Sequence, residues 1–298
     1  MRALEPTMSG FVDRDGLAVH YEVYGEGSPT VYLLMPDVIV QSRAWKAQIP
    51  FLARLFRVVV SDPRGNGLSD RPTSPDQLGD RLLLDDEWAV LDAVGADAAV
   101  IVGVCTGAGH ALMLAAEHPE RVLGVVAINP GMLLTEPLAH RIAFDFDETR
   151  DAFDGWQKQN RHYWRRDWPD FARFFFGEMF PEPHSTKQVE DCVGWSLGAG
   201  AETMLLEHDS PPYLGNAPDT ATAVCEAVRA AGCPVLVITG SEDHCQNPRR
   251  GPIVADLTGG DLVLLEGSGH LPSARDPVKV NLLIRDFVRR VAPGRRRS

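Results

Sequence analysis

The sequence predicts an α/β fold: a mostly parallel central sheet covered by helices, with one inserted helical cap. Three observations predict it. Short apolar runs alternate with amphipathic stretches from residue 30 to about 130, and the alternation resumes at residue 234. Between these regions it stops. The intervening stretch, 133–231, holds 14 of the chain's 23 aromatic residues, including Trp156, Trp164, Trp168, Trp195 and the run Phe174-Phe175-Phe176. That is too apolar for a linker. The expected division is a core made of 1–132 and 232–298 and a helical cap at 133–231.

Phe11 to Val23 reads as a hairpin turning at Asp15-Gly16, a pair that tolerates positive φ. Thr30 to Leu34 is a buried-type strand, Ala44 to Leu55 a helical stretch, and Phe56 to Ser61 the next strand. The loop Asp62 to Asp70 is rich in Gly and Asn, which suits a structural turn. Leu84, Trp88 and Leu91 recur at helical spacing within 80–94. The run Ala98–Val102 then enters Gly103-Val104-Cys105-Thr106-Gly107 and a helical segment, Ala111–Ala116, followed by the strand Val122–Ile128. After the insertion come strand Pro234–Thr239, helix Ile253–Leu257 and strand Asp261–Leu265. A last helix is announced by Asp276 as N-cap and Pro277 at its first position.

At 298 residues and 44% hydrophobic content the chain can bury a large core. No apolar run approaches the roughly 18–20 residues of a membrane span. Met1 to Gly10 lacks an apolar signal segment, so the expected location is cytoplasmic. Five cysteines without metal-like or disulfide spacing suit a reducing compartment. The formal charge of −12 argues against nucleic acid and anionic membrane as partners. The tail Arg295-Arg296-Arg297 reads as a solvated end.

A strand ending in glycine–x–nucleophile–x–glycine and turning at once into a helix exposes the central side chain at the apex. The helix start adds the positive end of a dipole and backbone N–H groups, which favour a thiolate and can hold an oxyanion. Taken alone, Cys105 could be an inert buried hydrophobe, as most such cysteines are. A nucleophile also needs a base, and the base an orienting carboxylate. "PVLVITGSED" places Asp243 just past one strand, and "LVLLEGSGHLPSARDP" places His270 just past the next. In a parallel sheet Cys105, Asp243 and His270 then share the carboxyl edge. Glu242 competes with Asp243 as the orienter. His244-Cys245 lacks further ligands at metal-site spacing.

"FVDRDGLAVHYEVYGEG", "FRVVVSDPRGNGLSD", "LAAEHPERVLGVVAINP", "PVLVITGSED" and "GSGHLPSARDP" resemble successive landmarks of the α/β-hydrolase superfamily, with the insertion where that family carries its helical cap. The resemblance implies a triad of Cys105, His270 and Asp243 and no cofactor. Most relatives have serine at the elbow, and those that open epoxides or remove halide have aspartate. Cysteine argues against the latter two activities; it resembles dienelactone hydrolases and polyhydroxyalkanoate synthases at the elbow only. A second departure lies after the third strand, where the family's His-Gly is replaced by Met35-Pro36, then Asp37-Val38. By position the N–H of Asp37 or Val38, with that of Thr106, forms the oxyanion hole. A carboxylate aimed into that hole would oppose a developing oxyanion. Asp37 therefore either points away or binds a cationic or hydroxyl group of the substrate.

Substrate contacts are expected from His110 on the elbow helix and from Trp164, Trp168 and Phe175 in the cap. The expected partner is a small-molecule acyl substrate, free or linked to a carrier or CoA; a homodimer is left open. Two functions from different classes stand. One is a cysteine-dependent enzyme acting on an ester, thioester or lactone by hydrolysis, acyl transfer or cyclisation. The other is a hydrolase-fold ligand receptor or regulatory module with a slow or vestigial triad. Cys105 as an engineered stand-in for serine also stays open.

Overall fold

The computed structural model describes residues 4–35 and 37–292; Pro36 and the Arg295–Arg297 run fall outside them. One sheet contains β1 (Met8–Arg14), β2 (Leu17–Tyr24), β3 (Thr30–Leu34), β4 (Arg57–Ser61), β5 (Ala99–Val104), β6 (Val122–Ile128), β7 (Val235–Gly240) and β8 (Asp261–Leu265), in the order β1-β2-β4-β3-β5-β6-β7-β8. β1–β2 and β2–β4 pair antiparallel, and every later neighbour pairs in parallel. β5 and β7 are buried at every position, as strands covered on both faces must be.

The helices in chain order are α1 (Ile49–Leu52), α2 (Asp80–Ala93), α3 (Thr106–Glu117), α4 (Arg161–Met179), α5 (Thr186–His208), α6 (Pro218–Ala230), α7 (Arg250–Thr258), α8 (Pro272–Arg275) and α9 (Pro277–Val291). Strand side chains alternate between two apolar clusters. Val31, Leu33, Val100 and Val102 face the cluster shared with α9 and the cap, whereas Tyr32, Leu34, Ala99 and Ile101 face the one shared with α2, α3, α6 and α7. α9 shows how local signals and burial agree. Asp276 caps it by accepting from the Lys279 N–H, and Val280, Ile284, Phe287 and Val288 form its buried stripe.

Two expectations are revised. Residues 44–55 do not form one helix. They form a 3₁₀ turn, Ser42–Trp45, and the single turn α1, because Pro50 supplies no N–H and is tolerated only at a helix start. α6 lies within the interval 133–231 but packs with the core. It buries Ala221, Cys225 and Val228 in the sheet-side cluster with α3 and α7, so the helices standing over the site are α4 and α5.

Both of those helices are broken. α4 kinks at Asp167 (φ −152°, ψ 70°), two residues before Pro169, and α5 kinks at Gly200 (φ +75°). Their core is an aromatic chain. Trp164 meets Trp168 and Phe171 at centroid distances of 5.5 and 5.0 Å, and Phe171 meets Phe175 at 5.5 Å. Among the described residues no helix is long and apolar enough to cross a membrane.

Candidate active site

β5 ends at Val104, α3 begins at Thr106, and Cys105 between them has φ +56° and ψ −122°. Holding a non-glycine residue there costs about 1–3 kcal/mol, which the surrounding packing must offset. The flanking glycines allow the turn. A Cβ on Gly103 would lie 2.1 Å from the carbonyl oxygen of Gly107, and one on Gly107 would lie 2.2 Å from that of Met35. The Gly131 N–H donates to the Cys105 carbonyl at 2.9 Å and pins the apex. Cys105 stays half-buried, whereas the chain's four other cysteines are buried.

His270 and Asp243 reach the same edge from the ends of β8 and β7. Nδ1 of His270 lies 2.7 Å from Oδ2 of Asp243, and both residues are buried. Oδ1 of Asp243 accepts the backbone N–H groups of Cys245 at 2.7 Å and Gln246 at 2.9 Å. Glu242, exposed, takes no part. Asn129, at the end of β6 with φ +42°, fastens the histidine loop to the sheet. Its Nδ2 donates to the His270 carbonyl at 2.7 Å, and its Oδ1 accepts the Gly240 N–H at 2.9 Å. From above, the His270 N–H donates to the Met179 carbonyl at the end of α4, at 3.0 Å.

The electrostatics couple these groups. The Cys245 thiol hydrogen-bonds Cys105; against the opposing cost of burial, that bond, the His270 charge and hydrogen bond, and the Gln246 amide hold the Cys105 thiol well below its ordinary range. Burial works against an imidazolium at 270, yet the Asp243 carboxylate, with the sulfurs of Cys245 and Cys105, raises His270 well above its usual value. Gln246 Nε2 donates to Cys105 Sγ at 3.4 Å. Arg250 in turn donates from Nη1 to Gln246 Oε1.

Above Cys105 lies a cavity of about 740 Å³ between core and cap. Trp164, Phe171 and Phe175 supply part of its apolar wall, with Leu133, Ile142 and Met204. Trp168 is not among the lining residues. It packs inside the cap with its indole N–H on the Ser196 carbonyl at 3.1 Å, because the kink at Asp167 turns it toward α5. His110 does line the cavity, as an ion-paired group in its floor. Burial opposes its charge, but Glu87 at 3.1 Å and Asp80 at 3.3 Å outweigh that and push it up to about 10.

The loop expected to supply half of an oxyanion hole is occupied in part by its own side chain. Asp37 Oδ1 accepts the Val38 N–H, so that amide is already engaged. The Asp37 carboxyl also meets Glu207 near the end of α5, and the two form a hydrogen-bonded pair. Such a bond requires a proton. Desolvation, then the neighbouring Asp37, pushes Glu207 well above the carboxylate range, so the proton resides there. Asp37 thus points at the cap, within electrostatic reach of Cys105.

Sequence reasoning singled out neither Gln246, Arg250 nor Glu207, and it considered Cys245 only as a metal ligand. For the first two and Cys245 a signal existed: they follow Asp243 within seven residues, Cys245 and Gln246 on the same strand-end loop and Arg250 at the start of α7. For Glu207 none did, since its meeting with Asp37 depends on how the cap docks. His244 faces the cap, 3.6 Å from Glu178. Among the described residues no cluster of three or more His, Cys, Asp or Glu side chains is arranged to hold a metal ion.

A family model described as alpha/beta hydrolase fold matches residues 36–277. The chain is 27% identical over 242 residues to a bifunctional esterase/perhydrolase of Acinetobacter calcoaceticus, covering 78% of this chain and 80% of that one. It is 40% identical over 82 residues to a 2-hydroxymuconate semialdehyde hydrolase of a Pseudomonas species, covering 28% and 29% of the two chains. Among solved structures, Est816, an N-acyl homoserine lactone degrading enzyme, aligns with a TM-score of 0.73 at 24% identity, over 93% of this chain and 100% of that one. An enol-lactonase from Burkholderia xenovorans aligns at 0.72 with 18% identity, over 94% and 99%. At these identities the structural likeness speaks for the fold. With strand order, elbow and family model in agreement across both halves of the core, the chain belongs to the α/β-hydrolase fold family of hydrolytic enzymes.

Proposed function

We propose that the protein is a cysteine-dependent hydrolase that opens an ester, thioester or lactone through an S-acyl intermediate on Cys105, with His270 as base and Asp243 as its orienter. One observation carries this reading. A half-buried thiol on a strained elbow opens onto the cavity and is coupled electrostatically to His270, whose Nδ1 is fixed 2.7 Å from a buried carboxylate. The Cys105 sulfur adds to the carbonyl carbon, and the leaving alkoxide or thiolate takes its proton from His270. His270 then takes a proton from water, whose oxygen adds to the thioester and releases the acid and the thiolate. Because amines and thiols also attack thioesters, acyl transfer and cyclisation compete with hydrolysis at such a site. Esterase and lactonase names among the relatives favour the same carbonyl chemistry. Trp164 and Phe175 suit an apolar acyl group.

Intact-mass measurement after incubation with acyl thioesters, aryl esters and lactones tests the mechanism. The expected adduct sits on Cys105, is absent from Cys105→Ala and persists in His270→Ala. Turnover unaffected by either substitution overturns it. A second reading, a slow or inactive ligand receptor, draws on the Asp37 carboxylate that engages the Val38 N–H. It predicts ligand binding without any adduct, and Asp37→Ala is expected to raise the acylation rate if the carboxylate opposes the oxyanion.

A further inference from the structure

The turn that carries Asp243 delivers a second group to the nucleophile, and that group has a buried cation behind it. We propose that Gln246 is a further catalytic residue and Arg250 its positioning residue: the guanidinium holds the Gln246 amide so that its NH₂ donates to the Cys105 sulfur and keeps it a thiolate. This rests on the reading of Cys105 as nucleophile.

Four observations converge. First, Gln246 Nε2 is 3.4 Å from Cys105 Sγ, a normal distance for a bond to sulfur. Second, Arg250 fixes which end of the amide faces the sulfur. A guanidinium has donors only, so its Nη1 contact must be with the amide oxygen, and the NH₂ is left to Cys105. Third, the Gln246 backbone N–H is bound to Asp243 Oδ1 at 2.9 Å, so the same carboxylate orients both His270 and this amide.

The fourth is the state of Arg250 itself. It is only 6% exposed, among the described residues no carboxylate lies within ion-pair distance of it, and its Nε has no hydrogen-bond partner, so the Asp243 carboxylate acts on it only at longer range. A buried cation without a contacting counter-ion is costly. It also lies on the wall of the cavity that contains Cys105. Burial lowers its basicity, and among the anionic groups that oppose this effect Cys105 contributes most. An ionised sulfur at position 105 therefore gives the guanidinium part of its counter-charge, beside Cys245, Asp243 and Tyr213, and is relayed to it through an amide whose two ends are polarised in the same sense.

The experiment is the pH profile of Cys105 alkylation by iodoacetamide, read by peptide mass spectrometry in the full-length protein. Thiolate, not thiol, reacts, so the midpoint reports the sulfur's protonation and needs no substrate. Gln246→Leu is expected to move the midpoint upward and to slow alkylation at pH 6 by about tenfold, the size expected for one hydrogen bond to a charged group. Arg250→Met is expected to shift it in the same direction, Arg250→Lys to restore part of the shift, and the double variant Gln246→Leu/Arg250→Met to add little to either. A Gln246→Leu midpoint equal to wild type overturns the proposal. So does an additive double variant, which would separate Arg250 from Gln246. Thermal melting identifies any variant that has lost its fold, in which case Gln246→Glu, placing a carboxylate beside the sulfur, must give an upward shift for the proposal to stand. If wild type shows this alkylation profile but no substrate leaves an acyl adduct, the hydrolase reading fails and the relay survives.

Discussion

The floor and the roof of the cavity are built on different principles. In the floor, Cys105, Asp243 and His270 stand at the ends of β5, β7 and β8, and the ladder of the parallel sheet sets their spacing before any side chain packs. Asn129 through its side-chain amide and Gly131 through its backbone N–H, both from the segment after β6, bind the three loops to one another. The roof has no such ladder. α4 and α5 are kinked, held by aromatic contacts, and meet the core through the shared apolar cluster, the Asp37–Glu207 and Lys46–Asp191 pairs, and hydrogen bonds to Arg71 and the histidine loop. Cys105, Asp243 and His270 thus stand on ladder-spaced strand ends, whereas much of the cavity's apolar wall stands on helices positioned by side-chain packing.

The largest expected effect lies in the floor. On the proposed mechanism Cys105→Ala cuts turnover by about 10⁴-fold or more, the usual cost of losing a nucleophile that acts as part of a unit. No comparable loss is expected from any single cap residue, and a Phe175→Ala variant matching it in kcat would break the comparison. Next in size is Gly107→Ala. Its Cβ would be forced against the Met35 carbonyl, so a loss of about 3 kcal/mol or more in denaturant unfolding is expected. Asn129→Ala comes third. Freed from the sheet, His270 should lose alignment with Cys105, lowering kcat by about 10- to 100-fold with little change in KM. An unchanged kcat would mean that the cap, through Met179, holds the histidine loop by itself.

The roof yields the smaller effects. Glu207 has its proton affinity raised on folding, so the native state favours its neutral form. Its ionisation costs stability progressively as pH rises above the ordinary value of 4.5. Glu207→Gln removes that cost, and its melting temperature relative to wild type should climb as pH increases from about 4.5 toward neutrality. A difference that is flat with pH would show that the pair carries no proton. Smallest is Trp168→Phe, which loses one hydrogen bond to Ser196 and is expected to cost about 1 kcal/mol of stability with kcat unchanged.

The course of the chain makes clear why some of this was legible. Strand limits such as Thr30–Leu34 and Asp261–Leu265, and the cap of α9 at Asp276, follow from apolar runs and local capping chemistry that need no distant partner. The region 44–55 misled because apolar periodicity outvoted Pro50. α6 misled because its position between the cap and the next strand says nothing about which cluster its buried face joins. In the site, Asp243 rather than Glu242 meets His270. Trp168 could not be told from Trp164 by sequence, since a kink at Asp167 decides which ring faces the cavity.

By itself the sequence determined the parallel sheet, the elbow at Cys105 and the strand ends that carry Asp243 and His270, because each rests on periodicity or on glycines that only one backbone path requires. Tertiary structure alone decided that Asp37 turns to Glu207, and that a buried Arg250 stands behind Gln246. Those pairings join residues whose meeting depends on how a cap docks or a loop closes. Such approach, at the scale of a single hydrogen bond, is a property of packing that no local pattern encodes.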